Sequence, residues 1–416
     1  MISVALMGHG VVGSGVAEIL TSHKQKLFSS VGEEIYLKHI LDLREFPESP
    51  LCDRFTKDFE VIASDREVRV VIETMGGVNP AYEFTKRCLS EGKSVVTSNK
   101  ELVARHGAEL LQIAKDNNAN YLFEASVGGG IPIIRPISQC LAANDINEIA
   151  GILNGTTNFI LTKMINENMA FDTALKIAQD LGYAERNPEA DVEGHDACRK
   201  ICILASLAYG RHIYPDNVHT EGITKITLED VEYAASWGGV IKLIGKCRLL
   251  ESGLMDIVVA PMFVPCTSQL ANINDVFNGI MVRGDCTGDV VFYGKGAGML
   301  PTASAVVADI VDCCKHLKAR KRLFWVDTKG EECIADYKES LTKIYLRCIS
   351  QDAEAAYNKA QDIFGGVIRL TRADADATEF AFVTENEMPY GDILKAQAEL
   401  ENAGIKVASA IRIGNL

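Results

Sequence analysis

The sequence predicts an α/β chain of three regions: one built on a parallel sheet, one of mixed α+β type, and a tail of alternating strands and helices. Through residues 1–134, short apolar runs alternate with amphipathic ones, which is the pattern of βαβ units. From residue 135 the alternation becomes irregular. The stretch 340–416 reads strand, helix, strand, strand, helix, strand, as in a ferredoxin-like unit. We therefore predict domains at 1–134, 135–325 and 340–416, with a charged linker over 326–340.

Composition narrows the class of protein. The 416 residues are 47% hydrophobic and 24% charged, as in an ordinary globular protein. The formal net charge of −14 and the lack of a basic stripe argue against a nucleic-acid partner. No apolar run is long enough to span a membrane, and a strand beginning at Ile2 leaves no place for a signal peptide. The twelve cysteines show no zinc-site spacing, so we expect reduced thiols in a cytoplasmic protein.

The first predicted βα unit carries a glycine-rich turn. The apolar strand Ile2–Met7 leads into GHGVVGSG at 8–15, and a helical run follows. Glycines in a GxGxxG turn allow a tight bend, approach of a pyrophosphate to the backbone, and close helix packing. A helix start also offers N–H groups to phosphate. This context predicts a Rossmann-type NAD(P)-binding domain, whose coenzyme contacts would come from Gly8, Gly10, Val11, Val12 and Gly13.

The second strand, Ile35–Leu41, should help to choose the coenzyme. It ends at Asp42, and an acid at this position can accept hydrogen bonds from the adenosine ribose of NAD. Arg44 follows two residues later and could instead receive the 2′-phosphate of NADP. A solvated loop that touches neither coenzyme is the third alternative, and the sequence leaves all three open.

Polar residues also follow the next strands. Thr74 and Gly76 come after the strand Val68–Glu73, and Ser98 and Lys100 come after Ser94–Thr97. Open α/β sheets bind ligands at the carboxyl ends of their strands, so these residues are coenzyme-binding candidates. Lys100 lies at a helix start, where a cation opposes the helix dipole. That position favours a functional role over a structural one.

Two further glycine clusters flank the middle region. The segment EASVGGGIP at 124–132 follows a predicted strand, Tyr121–Glu124, and its carbonyl groups with Glu124 could bind a hard monovalent cation. A hinge between domains is the alternative reading. Gly298 belongs to the second cluster, which suggests backbone close to the coenzyme or a domain junction. An apolar helix within 300–325 is expected to complete the first domain.

The window 182–200 concentrates charged residues. An Asn-Pro pair at 187–188 predicts an irregular loop bearing Glu185 and Asp191, and a helix follows. Asp196 and Lys200 are four residues apart and therefore share one face of that helix. Carboxylates beside a lysine could hold a small zwitterion and move a proton. The alternative is an acidic surface loop with an ordinary exposed ion pair, which stabilises little.

A polar turn, Asn154-Gly155-Thr156-Thr157-Asn158, precedes another predicted helix. It could line a polar pocket or simply cap the helix.

With these pieces placed, residues 1 to about 320 closely resemble homoserine dehydrogenase, and the tail resembles an ACT domain. The matching segments, in chain order, are GHGVVGSG (8–15), TSNKELVA (97–104), EASVGGGIP (124–132), GILNGTTNFIL (151–161), GYAERNPEADVEGHDACRK (182–200) and GAGMLPTASAV (296–306). The order and number of these segments make the resemblance specific.

The resemblance implies reversible NAD(P)-dependent reduction of L-aspartate 4-semialdehyde to L-homoserine, a step in threonine, methionine and isoleucine biosynthesis. It makes 135–325 the catalytic and dimerisation domain, Lys200 the proton donor and Lys100 a second essential lysine. The implied substrate-binding residues are Glu185, Asp191, Asp196, Gly155 and Thr156. The implied site for structural Na⁺ or K⁺ uses mostly main-chain oxygens of Glu124, Val127, Gly129 and Ile131.

Two segments depart from the usual family pattern. Glu185-Arg186-Asn187-Pro188 stands where Glu-Pro-Asp-Pro is usual. Ser350-Gln351-Asp352-Ala353 stands where an ACT domain usually has an Asp-x-Pro-Gly type of turn. Preference for NAD or NADP, homodimer or homotetramer, and an amino-acid effector such as threonine at the tail all stay open.

Two alternatives to this family stay open, one of them from another class of protein. A different amino-acid dehydrogenase on a similar plan would turn over another aldehyde. A nucleotide sensor would bind NAD(H) without turnover, but it leaves Lys100 and Lys200 unexplained. We expect a small-molecule substrate, and neither a nucleic-acid nor a membrane partner.

Overall fold

The computed structural model describes residues 1–321, 323–328 and 332–416. Its strands, in chain order, are β1 Ile2–Met7, β2 Ile35–Leu41, β3 Phe55–Thr56, β4 Val68–Glu73, β5 Ser94–Thr97, β6 Tyr121–Leu122, β7 Ile146–Ile152, β8 His219–Thr220, β9 Gly239–Leu249, β10 Met255–Pro265, β11 Phe277–Gly284, β12 Gly288–Lys295, β13 Leu341–Ile349, β14 Val367–Leu370, β15 Glu379–Thr384, β16 Met388–Pro389 and β17 Lys406–Ile413.

The α-helices are α1 Val11–Ser22, α2 Lys24–Val31, α3 Glu60–Ala63, α4 Ala81–Ser90, α5 Lys100–Asp116, α6 Gly155–Glu167, α7 Phe171–Asp180, α8 Glu189–Val192, α9 His195–Tyr209, α10 Leu228–Trp237, α11 Met299–Lys315, α12 Ala353–Phe364 and α13 Tyr390–Asn402. Short 3₁₀ turns lie at Cys52–Arg54, Glu124–Ser126, Pro215–Asn217 and Gln269–Asn272, and a π-helical turn at Pro136–Cys140. Within the described ranges, no helix has the length and apolar character needed to cross a membrane.

The chain forms two compact units. The first combines Met1–Ile146 with Cys202–Asp216 and Phe292–Glu331. The second combines Asn147–Ile201 with Asn217–Val291 and Glu332–Leu416. The tail therefore belongs to the same compact unit as the middle region.

The first unit is built on a parallel sheet in the order β3-β2-β1-β4-β5-β6. This is the doubly wound order: the chain adds strands toward one edge from β1 to β3, and toward the other edge from β4 to β6. The switch point lies between β1 and β4. Strands β1 and β4 are almost continuously buried, as expected when helices cover both faces of a parallel sheet. The predicted Rossmann-type α/β domain is confirmed.

Helix α11 joins this unit from far along the sequence. It packs against α1, where a Cβ atom on Gly15 would lie only 3.0 Å from the Ala303 side chain. Close contact between the two helices therefore requires the small residue. The expected helix in 300–325 is present and lies in the first unit.

The second unit contains a mixed sheet in the order β12-β11-β7-β9-β10-β17-β13-β15-β14. Its centre is the long antiparallel pair β9–β10, and an apolar cluster including Ile244, Ala260 and Met262 lies on it. Beyond β10, the sheet continues into the tail because Met262 pairs with Arg412 in parallel. The sheet thus holds the tail and the middle region together.

The tail has the predicted element order, with a short added strand, β16, before α13. Its main strands lie in the order β17-β13-β15-β14. Helices α12 and α13 contribute Ala360, Ile393 and Leu400 to an apolar core with Leu346 and Phe382 of the strands. The period-two and helical patterns of the tail sequence arise from burial on this core.

The principal difference from the predicted elements is β9, which the sequence reading did not assign. Its residues Lys242, Lys246 and Arg248 interrupt the apolar alternation, and that hides the strand. The predicted strand Tyr121–Glu124 ends at Leu122, since Glu124 begins a 3₁₀ turn.

Part of the predicted linker, residues 329–331, lies outside the described residues. The residues on either side are bonded to the fold, because Val326 pairs with Arg211 and Ile334 pairs with Met255.

Candidate active site

The turn between β1 and α1 holds Gly8, Gly10, Val11, Val12 and Gly13. A Cβ atom on Gly13 would lie 2.0 Å from the Gly8 carbonyl oxygen, so no side chain fits there. Gly10 has open space beside it, and α1 begins after it without a side-chain cap. The N–H groups of the first helical turn are thus available to a phosphate. The residues present fit the pyrophosphate of a dinucleotide.

Asp42 and Arg44 lie beside this turn and bond to each other. The Arg44 Nε donates to Asp42 Oδ1 over 3.0 Å, and the His9 backbone N–H donates to Asp42 Oδ2 over 2.8 Å. The hydrogen bonds from Arg44 hold the pKa of Asp42 well below its usual range despite partial burial. The carboxylate is therefore ionised at neutral pH, and the exposed guanidinium lies next to it. Both ribose and 2′-phosphate recognition fit this pair.

Buried Glu73 organises the turns that follow β4 and β5. Its carboxylate accepts hydrogen bonds from the Thr97 hydroxyl at 2.5 Å and the Met75 N–H at 2.8 Å. Burial raises the pKa of Glu73. Asn99 joins the same turns, since its amide donates to the Gly77 carbonyl over 2.6 Å. One buried acid and one amide thus fix the two turns that carry the coenzyme candidates.

The candidates on these turns fall into place around the glycine loop. The Thr74 hydroxyl donates to the Gly8 carbonyl over 2.8 Å, which ties the β4 turn to the loop. Gly76 is exposed at the turn, and half-buried Ser98 and Lys100 follow β5. Asn99 caps α5 by accepting from the Leu102 N–H, so Lys100 is the first residue of that helix, as predicted. The structure brings these residues to one edge of the first unit's sheet.

The candidate cation segment is buried. The Glu124 carboxylate accepts N–H groups of Ile133 at 2.6 Å, Ile134 at 2.8 Å and Arg135 at 2.9 Å. Its side chain therefore orders the start of the π-helical turn. A cation here would rely on carbonyl oxygens of the segment rather than on this carboxylate.

The rest of the segment 124–132 is equally close-packed. Val127 and Ile131 are buried, and a Cβ atom on Gly129 would lie 2.3 Å from the Gly296 carbonyl oxygen. The predicted second glycine cluster thus lies against the first, and Gly298 precedes α11. Among the described residues, no group of His, Cys, Asp or Glu side chains forms a metal-binding cluster.

The second unit holds the lysine and the acids of the 182–200 window. Lys200 Nζ lies 2.8 Å from Asp196 Oδ2 and donates to the Leu153 carbonyl over 2.7 Å. Both side chains are more than nine-tenths buried. An exposed ion pair, the alternative left open by the spacing, is excluded. A buried lysine is retained only with hydrogen-bonding partners, so this pair is a specific feature of the site.

Asn154 joins the second acid to this pair. Its side-chain nitrogen donates to Asp191 Oδ1 over 2.7 Å and to Asp196 Oδ2 over 2.9 Å. Its side-chain oxygen caps α6 by accepting from the Thr157 N–H at 2.8 Å. Strand β7, helix α6, helix α8 and helix α9 therefore meet at a single chain of hydrogen bonds.

The other substrate candidates surround this chain. Gly155 starts α6, and the Thr156 hydroxyl donates to the Tyr183 carbonyl over 2.7 Å, which ties the helix to the acidic loop. Glu185 is exposed on that loop. The structure thus collects Asp191, Asp196 and Lys200 around Asn154 and places Glu185 on the adjacent loop.

Two organising residues were missing from the sequence-predicted site. Asn154 belongs to the predicted polar turn and carries a visible cap signal, but its contacts to the acids depend on tertiary folding. The sequence predicts Glu73 only as the end of a buried strand. A carboxylate inside an apolar run was the available signal, because a buried acid must find hydrogen-bond donors.

A parallel sheet with a glycine turn at its switch point, together with a buried lysine among carboxylates, defines a dinucleotide-dependent dehydrogenase of a small polar substrate. Family models agree with this class. Residues 8–124 match the NAD-binding domain of homoserine dehydrogenase, and residues 132–311 match the homoserine dehydrogenase domain itself.

Individual relatives span the whole chain. A Bacillus subtilis homoserine dehydrogenase is 37% identical over 415 residues, covering 96% of this chain and 95% of its own. A Synechocystis homoserine dehydrogenase is 41% identical and covers 99% of each chain. The solved homoserine dehydrogenase of Thiobacillus denitrificans superposes with a TM-score of 0.91 at 33% identity, over 99% of this chain and 98% of its own.

The chain belongs to the homoserine dehydrogenase family. It is an NAD(P)-dependent oxidoreductase that interconverts L-homoserine and L-aspartate 4-semialdehyde. The family predicted from the sequence motifs is confirmed.

Proposed function

We propose that Lys200 exchanges the proton of this reaction, while Asp191, Asp196 and Glu185 bind the substrate's ammonium group. The observation that carries the proposal is the buried chain of hydrogen bonds through Lys200, Asp196, Asn154 and Asp191. Carboxylates are strong acceptors for an ammonium group. Lys200 is fixed beside them, 2.8 Å from Asp196.

A dinucleotide held at the glycine turn would supply the hydride chemistry at the carbonyl carbon. In the reducing direction, the substrate oxygen becomes an alkoxide and needs one proton. The Lys200 ammonium stabilises that charge and gives the proton, and in the oxidising direction the amine takes it back. Asp196 and the Leu153 carbonyl hold Nζ in place by bonds of 2.8 and 2.7 Å. Lys100 is proposed as a second essential lysine, as the motif resemblance implies.

The test is homoserine oxidation by Lys200→Ala, assayed with NAD and NADP separately. We expect kcat to fall by about 10² to 10⁴, the usual contribution of a general acid–base group. Coenzyme binding, followed by fluorescence of the reduced coenzyme, should stay at the wild-type level because its residues lie in the first unit.

The matched control for this test is Lys176→Ala. Lys176 also pairs with an acid four residues away, Asp180, in the same unit, but both side chains are more than 60% exposed. It should keep wild-type turnover. Wild-type turnover in Lys200→Ala itself would defeat the assignment.

For the coenzyme, we propose that Asp42 and Arg44 together set the preference between NAD and NADP. A structural relative, a hyperthermophilic archaeal homoserine dehydrogenase solved with NADPH, has a TM-score of 0.64 at 27% identity over 75% of this chain. That complex supports use of NADP, and the ionised Asp42 carboxylate supports ribose binding by NAD. The two assays with separate coenzymes measure the preference directly.

Further proposals concern parts outside the catalytic cluster. We propose an ACT-like regulatory role for 340–416, supported by its strand and helix order. A homodimer or homotetramer is proposed, supported by the resemblance of 135–325 to the family's catalytic and dimerisation domain. Carbonyl groups of Glu124, Val127, Gly129 and Ile131 are proposed to hold Na⁺ or K⁺.

No disulfide joins the described cysteines, which supports a cytoplasmic location.

A further inference from the structure

The segment His219–Thr224 contacts the loop that delivers the substrate-side acids. The Ile223 N–H donates to the Val192 carbonyl over 2.8 Å, and the Thr224 hydroxyl donates to Glu193 Oε1 over 3.0 Å. A Cβ atom on Gly222 would lie 2.4 Å from the Val192 carbonyl oxygen, so the two backbones touch directly. Val192 and Glu193 lie between Asp191 and Asp196 in the sequence. The segment therefore supports the backbone from which both acids project.

Residues of the tail also bond to the segment His219–Thr224, through the side chain of Glu221. Its Oε1 atom lies 2.7 Å from His219 Nε2, 3.3 Å from an Arg412 guanidinium nitrogen and 3.4 Å from the Tyr390 hydroxyl. The Arg412 guanidinium also stacks on the Tyr390 ring, 3.5 Å from its centroid. Burial opposes ionisation of Glu221, but His219 and Arg412 outweigh it and keep its pKa below the usual value.

Arg412 is itself almost fully buried, with 3% of its surface exposed. It lies on β17, the strand that joins the tail to β10. A buried arginine fixed by stacking and by a carboxylate has one preferred geometry, since its guanidinium is planar and rigid. The Glu221 side chain is therefore held by the tail, while its backbone N–H donates to the Val259 carbonyl of β10. The acidic loop in turn lies on the segment that carries Glu221.

We propose that Arg412 is a positioning residue for substrate binding: through Glu221 and the segment His219–Thr224, it holds Asp191 and Asp196 where they can receive the substrate's ammonium group. The inference rests on the proposed roles of those two acids. It gives the tail a direct effect on the substrate site. The chemical step is left to Lys200, which Arg412 does not contact through any of the bonds described.

The experiment compares Arg412→Gln with wild type in steady-state kinetics. We expect the KM for homoserine to rise about tenfold or more, because small displacements of binding groups are costly. The KM for the coenzyme should not change, since its site lies in the first unit. Arg412→Lys, which keeps a cation near Glu221, should recover part of the loss.

The matched control is Arg372→Gln. Arg372 also joins the tail to the middle region, through Glu232 of α10 at 3.3 Å rather than through His219–Thr224, and it pairs within the tail with Glu379 at 2.9 Å. Its substitution should leave the KM for homoserine unchanged. An equal rise in both variants would mean that general loosening of the tail, not positioning, is responsible, and would overturn the proposal.

Further variants keep the test decisive. Glu221→Gln should raise the same KM, and the Arg412→Gln/Glu221→Gln double variant should be no worse than the worse single one, since both act through one contact. If Arg412→Gln does not fold, Glu221→Gln decides, and a wild-type KM in it overturns the proposal. Lys200→Ala, measured in the same assay, tests the proposed substrate site separately from the positioning role of Arg412. Loss of turnover in Lys200→Ala together with a wild-type KM in folded Arg412→Gln would reject the positioning role and keep the proposed site. Retained turnover in Lys200→Ala would reject the proposed site itself.

Discussion

Lys242 shows how one residue can carry a charge into the core of the second unit. It is fully buried on β9, and its Nζ donates to the Ile273 carbonyl at 2.6 Å and to the Asn158 side-chain oxygen at 3.1 Å. Burial lowers the pKa of Lys242 to about 8, with Asp275 opposing the shift. Between this pKa and the unfolded value, the unfolded chain binds a proton that the folded chain does not.

We predict that Lys242 makes the protein more stable as pH rises. With the folded pKa below the unfolded one, the cost of a buried charge is full below about pH 8 and disappears toward about pH 10. The free energy of unfolding of wild type, minus that of Lys242→Met, should rise by about 1.4 kcal/mol per pH unit in that window. Urea denaturation of both proteins at several pH values measures it. A difference that does not change with pH would contradict the lowered pKa.

At the scale of elements, the start of α6 combines capping with site assembly. The Asn154 side-chain oxygen caps the helix while its nitrogen holds Asp191 and Asp196. The two jobs use different atoms, so substitutions can separate them.

We predict that Asn154→Ser keeps most of the stability and that Asn154→Ala loses about 1 kcal/mol or more, because serine still caps the helix and alanine does not. Both variants remove the donor to the acids and should raise the KM for homoserine alike. Thermal unfolding and steady-state kinetics on the pair check this. A serine variant with wild-type KM would show that the amide is not needed to place the acids.

A second element-scale feature joins the tail to α10. Buried Arg347 on β13 donates to Asp230 Oδ1 at 3.0 Å and to Glu379 Oε2 at 3.2 Å, and the Tyr345 hydroxyl also donates to Asp230. Asp230 forms the capping box of α10 with Thr227. The helix start and the tail therefore share one buried network.

Arg347→Met is predicted to lower the free energy of unfolding by about 3 to 5 kcal/mol, because buried Asp230 loses its cation and Glu379 keeps only Arg372. Lys395→Met is the control within the tail, since the Lys395–Asp392 pair is largely exposed. It should cost less than about 1 kcal/mol. Urea denaturation distinguishes the two variants. Equal losses in the free energy of unfolding would show that the buried network does not contribute the stability predicted for it.

At the scale of the whole molecule, the two lysines proposed for catalysis come from different units. Lys100 starts a helix of the first unit, and Lys200 lies in the second. Each of the two is proposed to be essential for turnover.

Residues that serve one reaction as a unit have non-additive effects on its rate, so the effects of the two substitutions should not multiply. We predict that Lys100→Ala and Lys200→Ala each lower kcat by about 10² to 10⁴, and that the double variant is less than about tenfold worse than the poorer single one. Single-turnover kinetics on the three proteins test this. Multiplication of the two single effects would show that the lysines act independently.

The sequence by itself determined the first unit's fold, most element boundaries and the family. Alternating short apolar runs and the strand–glycine–helix context are local signals, and β1, β2, β4, β5 and the strand–helix order of the tail appear as predicted. The sequence motifs also single out Lys100, Asp191, Asp196 and Lys200, because the family motifs that carry them are contiguous, and the roles of these residues stay predictions.

Only the tertiary structure decided how distant residues combine. Strand β9 was hidden because its charged side chains are satisfied by partners from other elements, such as Asn158 for Lys242. Asn154, which bonds to two acids, and Arg412, which bonds to Glu221, likewise find their partners on distant elements. These contacts join residues 37 to 191 positions apart, and hydrogen bonds of that range leave no periodic trace in the chain. Buried polar groups must be paired, so such contacts have to exist. The sequence shows which polar residues need a partner, and only the fold shows which partner each one finds.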